Sequence, residues 1–245
     1  MVLSKRLGAI ADMLSSGGKV VDVGCDHGFL DIYLVQTEKV AGALAMDVRK
    51  GPLSAANEHV REAGLSEVIE TRLSDGLEAY HIGEGDKLVC AGMGGKLMQR
   101  ILTAYPEKTA DFREMILQPQ SELREFREFL RANGFQVTEE RAVLEDGKFY
   151  FPMKVVRTAA DAKNDLGAEQ WRQQQSEVYD RYGEKLIRSK NPVLLQFLLQ
   201  QERIFGGVHE SLMTNAPQLG EDGKKRLSEV EYEWEILQRA ISLMK

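Results

Sequence analysis

The chain has 245 residues, of which 43% are hydrophobic and 29% are charged. This length and apolar content suffice for a folded core, so the composition excludes disorder for most of the chain. The 32 basic and 38 acidic side chains give a formal net charge of −6, which argues against indiscriminate binding to nucleic acids or anionic membranes. A nucleic-acid partner would therefore need a local basic patch.

Cysteine content and the N-terminal sequence indicate the compartment. Cys25 and Cys90 are too few for a disulfide framework or a four-cysteine zinc site, so we expect no metal and a reducing environment. No apolar run reaches the roughly 18 residues of a membrane span. Segment 1–10 carries Lys5, Arg6 and Gly8 where a signal peptide is apolar. We predict a cytoplasmic protein with no membrane partner and no evident obligatory protein partner.

Up to Arg157, short runs rich in Val, Ile and Leu alternate with helical patterns, which is typical of an α/β domain with a mostly parallel sheet. In chain order we predict helix 4–14, strand 19–23, helix 29–36, strand 40–46, helix 52–63, strands 68–73 and 87–91, helix 96–104, strand 114–117 and helix 122–132. Pro119 is expected to stop the last of these strands. Segments 135–144 and 148–156 flank Glu145-Asp146-Gly147, a turn sequence that predicts an antiparallel hairpin at the end of the sheet.

Residues 158–245 carry helical patterns only. Near the C-terminus, apolar residues alternate in spacing between three and four, which forms a heptad seam. The seam consists of Leu227, Val230, Trp234, Leu237, Ile241 and Met244. A matching stripe consists of Leu194, Leu198, Phe205, Val208 and Leu212. We predict two domains, 1–157 and 158–245, the second an antiparallel, coiled-coil-like helical hairpin or a helical cap that simply packs.

The turn between the first strand and the next helix carries the first chemical motif. Its glycines, Gly24 and Gly28, would let a ligand lie against the backbone, and Asp47 at the end of the second strand suits ribose hydroxyls. A dinucleotide fingerprint needs glycine where this chain has Asp26, and a carboxylate there would repel a pyrophosphate. A ligand with a positive sulfonium, such as S-adenosylmethionine, would be favoured. The alternative is a tight turn in which Asp26 caps the helix.

Three later segments should meet this turn at the carboxyl edge of the parallel sheet, where open α/β folds bind ligands. Asp75-Gly76 follows the third strand and could accept from an adenine amino group, or form an ordinary turn. Gly92, Gly94 and Gly95 follow the fourth strand and leave room for a planar substrate. The segment 117–120 follows the fifth strand.

Seven segments together carry a family resemblance. They are residues 3–7, 22–28, 51–53, 75–77, 91–95, 116–119 and 145–148. They resemble the bacterial tRNA (adenine-22-N1)-methyltransferase family, closely over about residues 1–157 and more loosely beyond. The resemblance implies a Rossmann-like class I methyltransferase fold, S-adenosylmethionine as cofactor and methylation of N1 of adenine 22 in tRNA. Gln120 stands where the family commonly has Asn.

The expected site residues combine the motifs with this resemblance. Expected cofactor contacts are Asp22, Gly24, Cys25, Asp26, His27, Gly28, Asp47, Val48, Asp75, Gly76, Gly92 and Met93. Expected substrate contacts are Lys5, Arg6, Gly94, Gly95, Pro119, Gln120, Arg181, Lys185 and Arg188. The last three recur at helical spacing and could bind RNA phosphates, although a solvated helix face explains them equally well.

Asp26 is the expected catalytic residue. Adenine N1 keeps an in-plane lone pair, so methyl transfer needs positioning more than a strong base. A carboxylate beside the ring could accept from the exocyclic amine and stabilise the positive charge that develops. His27 could instead move a proton, or serve as a structural donor. The extruded base also needs an aromatic or apolar face. The candidates for that face are Phe29, Tyr33, Phe149, Tyr150 and Phe151.

Other functions remain open at this stage. The chain could methylate another RNA or a small molecule, or bind the cofactor without turnover as a sensor or scaffold that presents its helices to a partner. A nicotinamide oxidoreductase is disfavoured because the dinucleotide fingerprint lacks its second glycine.

Overall fold

The computed structural model describes residues 2–158, 176–214 and 220–245. The chain divides into two compact units, Met1–Ala162 and Lys163–Lys245. The predicted second domain begins at residue 158, and its residues 159–175 lie outside the described residues. None of the described helices is long and apolar enough to span a membrane.

The first unit has nine strands and six helices within its described residues. The strands are β1 Lys19–Val23, β2 Gly42–Asp47, β3 Ile69–Leu73, β4 Lys87–Gly94, β5 Glu114–Ser121, β6 Phe135–Glu140, β7 Val143–Glu145, β8 Lys148–Tyr150 and β9 Met153–Arg157. The helices are α1 Lys5–Met13, α2 Phe29–Gln36, α3 Lys50–Glu62, α4 Gly95–Ala104, α5 Pro106–Thr109 and α6 Leu123–Ala132. The short α5 was not predicted.

Seven of the strands form one sheet in the order β3-β2-β1-β4-β5-β9-β6. The first five are parallel, and β9 runs antiparallel between β5 and β6. After β3 the chain crosses back to the other side of β1, so β4 pairs with β1 although β2 and β3 lie between them in sequence. A Rossmann-like sheet of this order places a crevice beyond the carboxyl ends of its central strands. The fold class predicted from the sequence is confirmed.

Each face of the sheet packs against its own set of helices. Alternate residues of β1 show the division, since side chains alternate between faces. Val21 belongs to a cluster with Met98 of α4 and Phe126 of α6. Val20 belongs to a second cluster with Ile10 of α1 and Ile32 of α2. Burial on both faces anchors the strand ends that carry the site.

Two strand boundaries differ from prediction. β5 does not stop at Pro119 but continues to Ser121, while β4 extends to Gly94. The register between these strands shifts on both sides of Met93, which lies opposite Pro119. A bulge removes the need for a regular ladder hydrogen bond, so a proline without an N–H fits there.

The predicted hairpin consists of two separate pairs of strands. β6 and β9 pair in the main sheet, whereas β7 and β8 form a separate two-stranded sheet at the tip. Pro152 lies between β8 and β9 and accepts a hydrogen bond from the backbone N–H of Arg141 (3.0 Å). Asp146 and Gly147 both have positive φ (48° and 75°), as a type I′ turn requires.

The second unit is helical. Residues 176–182 are helical, followed by α7 Glu184–Arg188, α8 Pro192–Thr214 and α9 Glu221–Met244. α8 and α9 are antiparallel, because Gln238 Nε2 donates to Glu202 Oε1 (2.8 Å) while Lys190 Nζ donates to the carbonyl of Lys245 (2.7 Å).

Burial along the predicted seam and stripe is uneven. Val230, Leu237 and Ile241 of the seam are buried, as are Leu194 and Leu198 of the stripe. Val208, predicted to lie on the buried stripe, is instead 40% exposed. Supercoiling of the coiled-coil type stays a prediction.

Candidate active site

A cavity of about 680 Å3 opens at the carboxyl ends of β1, β2, β3 and β4. This volume lies in the range of about 300–1,000 Å3 that is usual for small-molecule sites. The predicted cofactor contacts that line it are Asp22, Gly24, Cys25, Asp26, His27, Asp47, Val48, Asp75, Gly76, Gly92 and Met93. Two predicted substrate contacts, Arg6 and Gln120, line it as well. The fold thus brings together residues from six separate segments.

The turn after β1 is held close to the neighbouring strand. The backbone N–H groups of Gly24 and Cys25 both donate to the carbonyl of Met46 in β2 (2.7 and 3.0 Å). Gly24 has φ +82°, and a Cβ atom there would collide with Cε of Met93. Glycine therefore leaves the space above the turn open to a ligand and to the Met93 side chain.

Gly28 does not line the cavity. It is the N-cap of α2 with φ +71°, and a Cβ atom there would lie 3.2 Å from Cβ of Ala56 in α3. Its role in the structure is to bring α2 and α3 close together behind the turn. Because Gly28 is the N-cap and α2 has no side-chain cap, the alternative in which Asp26 caps this helix is wrong.

Two buried carboxyl groups form the floor of the cavity. Asp22 is 5% exposed and Asp47 is 3% exposed. Burial and the nearby charge of Asp47 raise the pKa of Asp22 to about 7, while Arg6 opposes that rise. Oδ1 of Asp47 accepts from the backbone N–H of Arg49 (2.7 Å), which fixes the carboxylate at the end of β2.

Asp26 stands at the open side of the cavity. Its backbone is left-handed (φ 53°) and its side chain is 61% exposed. Oδ1 of Asp26 lies 3.9 Å from Nη2 of Arg49 and 3.8 Å from Nε2 of His27. The carboxylate is therefore available to a ligand and is flanked by the guanidinium of Arg49 and the ring of His27.

Asp75 is held by a cation that sequence reasoning missed. Arg100 of α4 makes a two-pronged ion pair with it, with Nη2 to Oδ1 at 2.9 Å and Nη1 to Oδ2 at 3.2 Å. Both residues line the cavity. No sequence signal links Arg100 to the site, since it lies in the middle of an amphipathic helix. Arg49, also missed, follows Asp47-Val48 directly and could have been considered with them.

The fifth-strand side of the cavity is built around Arg6. Nη1 of Arg6 donates to Oε1 of the fully buried Gln118 (3.1 Å), and its guanidinium carbon lies 5.5 Å from the ring centroid of Tyr150. A Cβ atom on Gly92 would lie 3.6 Å from Nη1 of Arg6 and 3.7 Å from Nε2 of Gln120. The open space above Gly92 therefore faces two hydrogen-bond donors.

Four predicted substrate contacts of the first unit do not line the cavity. A Cβ atom on Gly95 would lie 2.8 Å from the carbonyl of Ser121, and the N–H of Gly95 donates to Oε2 of Glu122 (3.0 Å). Gly94 similarly packs against Ser121, so both glycines serve the close approach of α4 to the end of β5. Pro119 is buried in the β4–β5 bulge, and the backbone N–H of Lys5 donates to Glu145.

Of the predicted aromatic candidates, Phe29 lines the cavity. It is 40% exposed and stacks on His59 with ring centroids 4.8 Å apart. Phe151 is buried, and Tyr33 is partly buried and packs against the core cluster to which Ile32 belongs. Phe29 and His59 thus present an exposed aromatic face at the rim.

Of the two cysteines, Cys25 lines the cavity and Cys90 belongs to a hydrophobic core cluster. Cys25 and Cys90 are free and buried, and burial together with nearby carboxylates raises the pKa of each thiol. Neither thiol is suited to nucleophilic chemistry, because the thiolate is the reactive form.

Two of the three predicted phosphate contacts of the second unit pair with carboxylates, and the third, Lys185, lies in α7. Arg181 binds Glu177 (Nε to Oε1, 2.7 Å) and also Glu233, and its side chain is 14% exposed. Arg188 pairs with Glu184 at 2.8 Å and is half exposed. An RNA phosphate would have to replace these carboxylates, which is most costly at Arg181.

Comparison with known proteins agrees with this geometry. A family model described as a methyltransferase domain matches residues 3–153. A tRNA (adenine(22)-N(1))-methyltransferase of Bacillus subtilis is 32% identical over 242 residues, covering 98% of this chain and 97% of the relative.

Solved structures extend the likeness to three dimensions. The crystal structure of the B. subtilis m1A22 tRNA methyltransferase has a TM-score of 0.81 at 30% identity, covering 98% of this chain and 99% of that chain. A Streptococcus pneumoniae protein, solved in complex with S-adenosyl-L-methionine, has a TM-score of 0.81 at 27% identity, covering 98% of this chain and all of that chain. The chain therefore belongs to the methyltransferase-domain family and, within it, to the tRNA (adenine(22)-N(1))-methyltransferases.

Proposed function

We propose that this protein transfers the methyl group of S-adenosylmethionine to N1 of adenine 22 in tRNA, and that it does so in the cytoplasm. The observation that carries the proposal is the acid-lined cavity beyond β1 and β2, closed below by the Gly24 turn. Carboxyl groups at this place disfavour a pyrophosphate and favour a cationic ligand. Membership of the family supplies the reaction and the acceptor.

The residues present fit such a cofactor. Asp47, buried and fixed by the N–H of Arg49, would accept from ribose hydroxyls. Asp75 and Gly76 would receive the adenine ring, and Val48, 60% exposed, would pack on it. The turn would receive the methionine part through Asp22, Gly24, Cys25, Asp26 and His27, with Gly28 supporting it from behind. Gly92 and Met93 would close the cavity from the side of β4.

The protein's part in the reaction is positioning and charge. When bound, the cofactor supplies a methyl group on a positively charged sulfur. Asp26 would accept a hydrogen bond from the exocyclic amine of the adenine and hold a negative charge beside the ring as it becomes cationic. No strong base is required, because N1 already carries a lone pair, and alignment of the reacting atoms is the main contribution.

The acceptor base would enter beside Gly92. Arg6 and Gln120 point donors into this space, and adenine offers ring-nitrogen acceptors away from N1. The exposed face of Phe29 on His59 would support the base or its neighbour by stacking, as aromatic side chains do for unpaired RNA bases.

The remaining expected substrate contacts of the first unit would act indirectly, by shaping the cavity walls that carry Arg6 and Gln120. They are Lys5, Gly94, Gly95 and Pro119. Arg181, Lys185 and Arg188, on the helical unit, would bind phosphates of the tRNA.

The test is to incubate purified protein with tRNA and labelled cofactor, digest the RNA and locate the methyl group by mass spectrometry. We expect N1-methyladenine at position 22, and no label in a tRNA carrying guanine at that position. Label in another RNA position would contradict the acceptor assignment. Tight cofactor binding without any RNA labelling would favour a cofactor-sensing or scaffold function.

A further inference from the structure

A carboxyl group that no part of the proposed mechanism uses lies beneath the cavity. Asp31 is the third residue of α2 and has no solvent exposure. Neither oxygen of its side chain has a hydrogen-bond partner among the described residues. An ionised carboxylate in such a place is strongly disfavoured, and native proteins rarely leave one there.

The surroundings of Asp31 make the charged form less favourable still. Asp22 faces it from β1, and the burial of Asp31 together with the charge of Asp22 raises the pKa of Asp31 well above its usual range. The backbone N–H of Asp31 itself is the group that favours ionisation. Cys25, from the turn, faces both carboxyl groups and carries no charge.

Asp22 is the member of this pair that reaches the cavity. Asp47, from β2, disfavours its negative charge, and Arg6, from α1, favours it. The pKa of Asp22 is raised to about 7, so near neutral pH this carboxyl is divided between its two forms. Two interacting acids of this kind titrate as a unit.

We propose that Asp31 is a neutral hydrogen-bond donor to Asp22, and that the pair releases up to one proton to solvent when the cationic cofactor binds in the cavity. The proposal rests on the proposed cofactor. In the free protein both carboxyl groups can hold a proton. When the cofactor brings its positive charges to the cavity, the O–H bond of Asp22 breaks, the proton passes to the buffer, and the carboxylate formed accepts a hydrogen bond from the O–H of Asp31.

The number of protons released on binding follows from the pKa of Asp22. A group with a pKa of about 7 that becomes fully ionised on binding releases about half a proton at pH 7 and about nine tenths at pH 6. The affinity for the cofactor then rises about 15-fold from pH 5.5 to pH 7. The α-amino group of the cofactor stays mostly protonated over this range, since such groups titrate near 7.7–8.0.

The experiment is calorimetry of S-adenosylmethionine binding to the full chain at pH 6.5, in buffers of different ionisation enthalpy, with affinities measured from pH 5.5 to 7. We expect proton release in the parent protein. Because His27 lines the same cavity, His27→Gln tests the other source of the proton: release per bound cofactor that persists in this variant, whatever its affinity, assigns the proton to the pair, and loss of release overturns the proposal. Asp22→Asn should abolish the release. Binding without proton release in the parent would overturn the proposal and leave the proposed function intact, whereas absence of binding would refute the cofactor itself.

Two variants of Asp31 separate a hydrogen-bond donor from a structural filler. Asp31→Asn keeps a neutral donor, so release and pH profile should match the parent. Asp31→Leu removes the donor, so the ionised Asp22 loses its partner. A rise of about one unit in the pKa of Asp22 should then lower the affinity about fivefold at pH 7 and about ninefold at pH 6. A merely structural Asp31 predicts that the Leu variant folds more stably with an unchanged pH profile, and this result would refute the role assigned here.

Discussion

Asp26→Asn tests the catalytic assignment most directly, because the structure predicts that it changes charge and little else. The side chain is exposed and the backbone is left-handed, a conformation that Asn adopts at least as readily as Asp. Folding should therefore be unaffected. Loss of the carboxylate charge beside the cationic ring should lower turnover with saturating cofactor and tRNA while substrate affinity changes little.

The exposure of Asp26 limits the size of this effect. Deeply buried electrostatic groups are worth on the order of a hundredfold or more in turnover. Asp26 is 61% exposed and lies 3.9 Å from the cation of Arg49, both of which weaken its field. For a charge about 5 Å away and an effective dielectric constant of about 40, Coulomb's law gives about 1.7 kcal/mol, or roughly 15-fold.

Single-turnover kinetics with tRNA and saturating cofactor measures this directly. Asp146→Asn is the matched control, since Asp146 is also exposed and left-handed (φ 48°) but lies in the β7–β8 turn and does not line the cavity. A rate within about threefold of the parent would reduce Asp26 to a turn residue. A loss far above a hundredfold, with the fold intact, would point to proton abstraction and refute the purely electrostatic role.

Three further predictions concern binding and stability. Asp47→Ala should weaken cofactor binding in calorimetry by about 1.5–3 kcal/mol, the range for hydrogen bonds to charged groups, and unchanged affinity would exclude Asp47 from the ribose site. The double variant Lys185→Gln, Arg188→Gln should reduce the slope of log Kobs for tRNA binding against log salt concentration by about 0.7–0.9 for each phosphate that is no longer bound. The control Arg61→Gln, on α3 and paired with Glu58, should leave this slope unchanged. Glu84 accepts from two nitrogen atoms of Arg72 (2.7 Å each), and its pKa is lowered to about 2. The Glu84–Arg72 pair therefore stabilises the fold at pH values above the usual pKa of glutamate, and this contribution is lost as the pH falls towards 2. Glu84→Gln should flatten this part of the pH dependence of the free energy of unfolding, measured with urea.

The central strands of the sheet were predictable because they are buried on both faces. A continuous apolar run such as 40–46 is compatible with few structures other than a buried strand, and the glycines and prolines between runs mark the turns. The end of β5 was not predictable, since Pro119 is a stop signal unless the neighbouring strand bulges, and the bulge at Met93 has no signature of its own. The break between β6 and β7 likewise depends on where β9 inserts.

The motif residues of the site were predictable because they follow strand ends, and parallel strands bring those ends to one edge. Arg49 and Arg100 were missed because their contribution depends on reach across the cavity, to Asp26 and Asp75. Asp31 was missed for a different reason. An acidic residue near the start of a helix is ordinarily explained by its favourable interaction with the helix dipole. Only the complete burial of Asp31, without a hydrogen-bond partner among the described residues, shows that this explanation fails here.

The charges around the cavity also explain how an acidic protein can act on RNA. Asp22 and Asp47 form its floor, so a phosphate group would meet like charge on entering. Arg6, Arg49 and Arg100 stand around its walls, where they can meet phosphates outside. An adenine base carries no charge before methylation, so it can enter where its own backbone cannot. The electrostatics therefore favour extrusion of the base alone from the folded tRNA, and Asp26 at the open side of the cavity would stabilise the positive charge that the base acquires on methylation.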